Sequence, residues 1–190
     1  MNTIRAFIAV EIEGQTKQKI SELISILKKS DANAKWITEG QMHLTLKFLG
    51  NIDEGHVQKI SDALSIISNN FSSFTINFSG IGAFPDLNHP AVIWLGVNKG
   101  AEFLKMLNEK IETALEKLDL KKENREFKPH LTLARMRPSK NALSLVKLIK
   151  ETDFSSWNDL RINRLVLLQS ALNPKGAVHT IILEKHLQDI

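Results

Sequence analysis

At 190 residues the chain suits one ordinary domain, or two small lobes sharing a core, and can bury roughly 70% of its unfolded surface without a covalent staple. It has no cysteine, which excludes disulfides, thiolate metal sites and a cysteine nucleophile and makes a reducing cytoplasm the simplest setting. Lysine and arginine number 25 against 21 aspartates and glutamates, a formal +4 that suits a polyanionic partner and is equally the mark of a well-solvated surface.

The first apolar run is broken by Glu11 and Glu13, too soon for a membrane span, and no signal-peptide pattern follows, so a soluble protein is expected. Arg5 to Ile12 reads as a strand, with Phe7, Ala9 and Glu11 on one face and Ile8, Val10 and Ile12 on the other. Thr16 to Lys29 places Ile20, Leu23, Ile24 and Leu27 at helical spacing. Met42 to Gly50 reads as a strand closed by Gly50-Asn51, and Asp53 is placed to cap a helix with Val57, Ile60, Leu64 and Ile67 on its buried stripe. Phe74 to Phe78 and Ala91 to Val97 are two more strands, joined by a turn-rich stretch containing Pro85, Asp86 and Pro90.

The second half repeats this order. Leu104, Leu107, Ile111, Leu115 and Leu118 mark a helix, and Phe127 to Leu133 a strand entered through Pro129. A shorter helix spans Ala142 to Lys150, and strands from Arg161 to Leu172 and from Val178 to Leu183 flank the turn Asn173-Pro174-Lys175-Gly176. Strands that follow one another directly imply an α+β protein with largely antiparallel sheets. The tetrapeptide His-Leu-Thr-Leu occurs at 43–46 and again at 130–133, an offset of 87 residues in a chain whose half-length is 95. Residues 1–190 therefore read as one bilobal domain, an internal duplication with one tetrapeptide in each lobe.

On a strand, side chains alternate, so His43 and Thr45 share one face and Leu44 and Leu46 the other, with Lys47 extending the polar row. His130 and Thr132 stand likewise against Leu131 and Leu133. A lone His-x-Thr is ordinarily a surface pair, whereas two identical copies in so short a chain are not expected from composition. If the lobes are related by an approximate two-fold axis, the imidazoles flank whatever binds between them. In-line displacement at phosphorus needs that arrangement: a neutral His takes a proton from water and a protonated His gives one to the leaving alkoxide. The Thr45 and Thr132 hydroxyls can donate to non-bridging oxygens. The six histidines, at 43, 56, 89, 130, 179 and 186, contain no helical metal-binding pair, so neither metal nor cofactor is expected, and His56 and His89 receive no role.

Arg5-Ala-Phe-Ile-Ala-Val, His43-Leu-Thr-Leu-Lys-Phe-Leu-Gly, Val92-Ile-Trp-Leu-Gly-Val and Pro129-His-Leu-Thr-Leu-Ala-Arg resemble the two-histidine phosphoesterase superfamily. More narrowly they resemble the bacterial and archaeal RNA 2′,3′-cyclic phosphodiesterases, called LigT-like or ThpR-like. The resemblance implies two facing, mostly antiparallel sheets with outer helices around a central cleft. It also implies metal-independent hydrolysis of a 2′,3′-cyclic phosphate to a 2′-phosphomonoester, with His43 as proton donor and His130 as acceptor. Spacing alone leaves that order open. The expected partner is RNA with such an end, tRNA fragments among the candidates, and the expected state a monomer. Arg135 sits where the family commonly carries a basic residue, yet strict alternation points it away from His130, so a bulge or a strand end is required there. Lys47 and Arg135 join the threonines as candidate phosphate contacts. Alternation puts Phe48 in the core with Leu44 and Leu46. His179 lies in a stretch where the family often has Tyr, a residue this chain lacks, and has no assigned role.

Three alternatives remain at this point: a 2′-5′ RNA ligase, a hydrolase of another cyclic phosphate, and a non-catalytic RNA-binding module. The last has no need of two titrating groups.

Overall fold

The computed structural model describes residues 2–137, 141–152, 157–174 and 176–189. The first half runs β1 (Thr3–Glu11), α1 (Gly14–Lys28), β2 (Ala34–Trp36), a 3-10 turn (Glu39–Gln41), β3 (His43–Asp53), α2 (His56–Ser68) and β4 (Phe74–Ile76). The second runs β5 (Phe78–Phe84), β6 (Val92–Val97), α3 (Ala101–Glu116), β7 (His130–Met136), α4 (Ala142–Glu151), β8 (Leu160–Ile162), β9 (Arg164–Asn173) and β10 (Gly176–His186). One sheet has the order β10-β9-β1-β3 and another β2-β7-β6-β5, with β4 and β8 forming a small ribbon. Every pairing between these strands is antiparallel, and the fold is α+β with the duplication visible in its topology. The trio β9-β1-β3 corresponds to β5-β6-β7, and each His-bearing strand follows a helix and precedes another.

The helical stripes read from the sequence line the core. Ile20 and Leu27 of α1, Ile60 and Leu64 of α2, Leu104 to Leu115 of α3 and Leu145 of α4 join one apolar cluster with Ile8, Val10 and Leu44 of one sheet and Ile93, Leu95 and Leu131 of the other. Phe7, Ala9, Val166 and Leu168 form a separate buried cluster on the opposite face of the first sheet. The two faces of β1 thus serve different purposes, as its alternation predicted. No described helix is long and apolar enough to cross a membrane.

The structure departs from the sequence expectations at short or irregular elements. Asp53 ends β3 instead of capping a helix, and α2 starts after Gly55 with no side-chain cap. β2, three residues long, and β5 have no sequence signal; β5 contains Gly80, with φ of +71°, at a register shift against β6. The strand expected over 161–172 breaks at Asn163 into β8 and β9. The turn between β9 and β10 is closed by the Gly176 N–H donating to Asn173 Oδ1 at 2.8 Å; its Lys175 lies outside the described residues.

Both His-bearing strands bulge at the same place. Ala9 pairs with Thr45 but Ile8 with Lys47, leaving Leu46 as an extra residue; Trp94 pairs with Thr132 but Ile93 with Ala134, leaving Leu133 extra. A bulge takes its carbonyl out of the ladder, and a buried carbonyl needs a donor. β7 has β2 beside it, and the Ile37 N–H donates to the Leu133 carbonyl at 3.0 Å. β3 is the edge of its sheet, so a helix side chain takes over: Asn108 of α3 donates from Nδ2 to the Leu46 carbonyl at 2.8 Å.

Candidate active site

The bulges decide which side chains share a face with the histidines. Before the bulge, β3 puts His43 and Thr45 beside Glu11 and Ala9; after it, the residue on that face is Phe48, paired with Phe7. Lys47 turns inward. It is 1% exposed, its Nζ lies 2.6 Å from Glu112 Oε2 of α3, and it donates to the Lys121 carbonyl at 2.9 Å. Lys47 is therefore corrected from phosphate contact to buried ion-pair partner, and Phe48 from core residue to surface ring, 53% exposed. Both expectations assumed unbroken alternation, and one extra residue inverts the phase.

In β7 the same device acts in the same sense. Leu133 bulges, Ala134 takes the buried position, and Arg135 emerges exposed and paired with Val92 of β6 and Lys35 of β2. Of the two devices that could turn Arg135, a bulge or a strand end, the bulge is present. Lys35, at the same register position on β2, brings a second cation to this face. A three-residue strand gave no signal from which Lys35 could be found.

Around each imidazole stands an aromatic enclosure. The His43 ring centroid lies 4.8 Å from that of Phe7 and 5.2 Å from that of His179, which meets Phe7 edge-on at 5.0 Å. Around His130 stand Phe84, edge-on at 5.0 Å, and Trp94 at 6.2 Å. The Trp94 ring lies across Gly82, where an added Cβ would come within 2.2 Å of it, so the glycine makes room for the wall. Sequence patterning missed Phe7, Phe84, Trp94 and His179 because their contacts are made between strands far apart in the chain. β3 and β7 lie against one another where the two sheets meet. A hydrogen bond from Gln41 Nε2 to the Ala177 carbonyl, at 2.7 Å, ties the turn before His43 to β10.

The two imidazoles are oriented alike. His130 Nδ1 is 2.6 Å from the Lys128 carbonyl, two residues back, so Nδ1 carries a proton and Nε2 is left for chemistry. His43 bonds the Gln41 backbone, also two residues back, whose N–H already donates to Thr38. Burial pushes His43 down to about 4, the neighbouring His179 adds to this, and the Gln41 bond opposes it. Burial likewise lowers His130, against the Lys128 bond and with help from Arg135. His179 is lowered by burial, and its Nδ1 has no partner among the described residues. All three shifts favour the neutral imidazole. Thr45 and Thr132 are half-buried beside their histidines, whereas His89 is exposed on a loop and His56 starts α2. Among the described residues no group of three or more His, Asp or Glu could hold a metal ion.

A model of the LigT-like phosphoesterase family matches residues 10–94 and again residues 95–179, once for each half. The chain is 33% identical to an RNA 2′,3′-cyclic phosphodiesterase of Thermotoga maritima, over 95% of this chain and 94% of that one. It is 30% identical to the enzyme of the same name from Methanothermobacter thermautotrophicus, over 93% and 95%. Among solved structures it resembles TT0787 of Thermus thermophilus, with a TM-score of 0.82 at 23% identity over 98% of this chain and 99% of that one, a likeness of fold.

Proposed function

The chain belongs to the LigT-like phosphoesterase family, and from that membership we propose that it hydrolyses the 2′,3′-cyclic phosphate of an RNA end to a 2′-phosphomonoester, with His43 and His130 transferring the protons. The supporting observation is the twinned strand: His-Leu-Thr-Leu, a bulge at the last leucine and a backbone-anchored imidazole, at equivalent places in two adjoining sheets. Water attacks phosphorus opposite O3′ while His130 Nε2 takes its proton; the P–O3′ bond breaks and His43 gives a proton to O3′. The products are a 2′-phosphate and a free 3′-hydroxyl, and proton exchange with solvent resets the pair. Arg135 disfavours a charge on His130, as a base requires. The proton His43 needs is stabilised once an anionic phosphate lies beside it. Thr45 and Thr132, with Arg135 and Lys35, donate to the non-bridging oxygens, where charge collects in the transition state. Both histidines come from one chain, so a monomer suffices, and tRNA fragments with a cyclic end are suitable substrates.

The test is incubation of the pure protein, in excess EDTA, with a short RNA ending in a 2′,3′-cyclic phosphate. Release of a 2′-phosphate end is the expected result. A 3′-phosphate product, or activity only after a divalent metal is restored, would overturn the mechanism.

A further inference from the structure

Next to the first histidine cluster lies a cavity of about 410 Å³, lined by Phe48, Leu49 and Gly50 of β3 and by the segment 120–125. No step of the hydrolysis uses it. Resting on the reading of the cleft as the seat of a terminal cyclic phosphate, we propose that this cavity holds the single-stranded RNA just upstream of that phosphate, with one base stacked on Phe48 and the adjoining backbone phosphate held by Lys121, Lys122 and Arg125.

A cyclic phosphate closes the 3′ end, so any remaining RNA must leave the cleft on its 5′ side. An aromatic track leads out that way: the Phe7 ring is 4.8 Å from His43 and 6.0 Å from Phe48, whose ring is half in solvent. An exposed flat ring beside a nucleotide-sized hollow is a stacking platform for any base. The segment 121–125 supplies three cations against one carboxylate, Glu123, which lies 3.7 Å from Arg125. A basic loop is ordinarily just solvated, but this one is fastened in place. Lys47 donates to the Lys121 carbonyl at 2.9 Å, and Glu112 Oε2 accepts from the Glu123 N–H at 3.3 Å. The buried pair thus pins the backbone of the loop beside Phe48, with the Lys121, Lys122 and Arg125 side chains exposed to meet a phosphate.

The experiment compares a nucleoside 2′,3′-cyclic monophosphate, too short to reach the cavity, with a short oligonucleotide bearing the same end. Wild-type protein should favour the oligonucleotide in kcat/KM by about tenfold. Lys122→Glu with Arg125→Glu should abolish that preference through KM and leave the mononucleotide reaction unchanged. The same charge reversal at Lys28 and Lys29, outside the cavity, should alter neither reaction. No wild-type preference, or an equal loss on both substrates, would overturn the proposal. In parallel, anisotropy of a labelled single strand with a 3′-phosphate measures binding without turnover. The Lys122→Glu, Arg125→Glu variant should bind it more weakly, with the log–log salt slope reduced by about 0.7 for each phosphate no longer neutralised. If wild-type protein hydrolyses neither substrate, the catalytic reading fails, and the binding comparison still decides the cavity: unchanged affinity and slope would exclude it.

Discussion

His43 and His130 are anchored in the same way, through the carbonyl two residues back, yet their surroundings differ. His43 faces another imidazole and His130 an arginine. Replacing either with Ala should cost roughly 10²–10⁴-fold in kcat with the fold retained, read by single-turnover hydrolysis and circular dichroism. Both histidines are held below 6.5, and in the proposed mechanism the reactive form carries one proton between them. The kcat/KM profile, which reports the free protein, should therefore be a bell peaking below pH 6.5. The kcat profile should peak at higher pH, because a bound phosphate favours the imidazolium. A kcat/KM optimum above about pH 7 would contradict this. Stability follows the same shift. A His at about 4 when folded and near 6.5 when unfolded contributes stability above pH 6.5 that is lost as pH falls towards 4. Melting temperature should therefore drop across that window less steeply in His43→Phe than in wild type.

At the scale of the element, the bulge at Leu46 decides which side chains share a face with His43. It sends Lys47 inward and Phe48 outward, and α3 holds it through Asn108. Asn108→Ala leaves a buried carbonyl unpaired and should cost about 1–3 kcal/mol in urea unfolding. One turn along, Glu112 is the buried partner of Lys47. Glu112→Ala strands an ammonium in the core and should cost about 3–5 kcal/mol, whereas Lys47→Met with Glu112→Leu should recover most of that loss. If the double variant is as unstable as the single one, the pair's packing and not its charge is what matters.

At the scale of the molecule, the two halves interleave, although each carries one motif. β2, from the first half, pairs with β7 in the sheet of the second; β9 and β10, from the second, build the sheet that holds β1 and β3. The main core cluster draws on both halves, and so does the smaller one. Fragments ending or beginning at the boundary between the two family repeats, 10–94 and 95–179, should each lack a cooperative melt, and mixing them should restore folding and activity together. A fragment that melts cooperatively alone would show that the lobes are independent.

The helical stripes, the alternation of β1 and the repeated His-Leu-Thr-Leu were all legible in the sequence, because a period of about 3.6 or 2 and an identical tetrapeptide are local properties. They carried the α+β class and the duplication. The short β2, the glycine-bearing β5 and the two bulges were not, since a strand of three residues has no period and a bulge depends on what stands beside it. Only the tertiary structure could place Lys47 in the core, Phe48 at the surface, His179 beside His43 and Lys35 opposite Arg135. Those positions follow from which strand is an edge and which helix side chain reaches it; Lys47 and Glu112 meet across 65 residues of chain, a separation that no local pattern encodes.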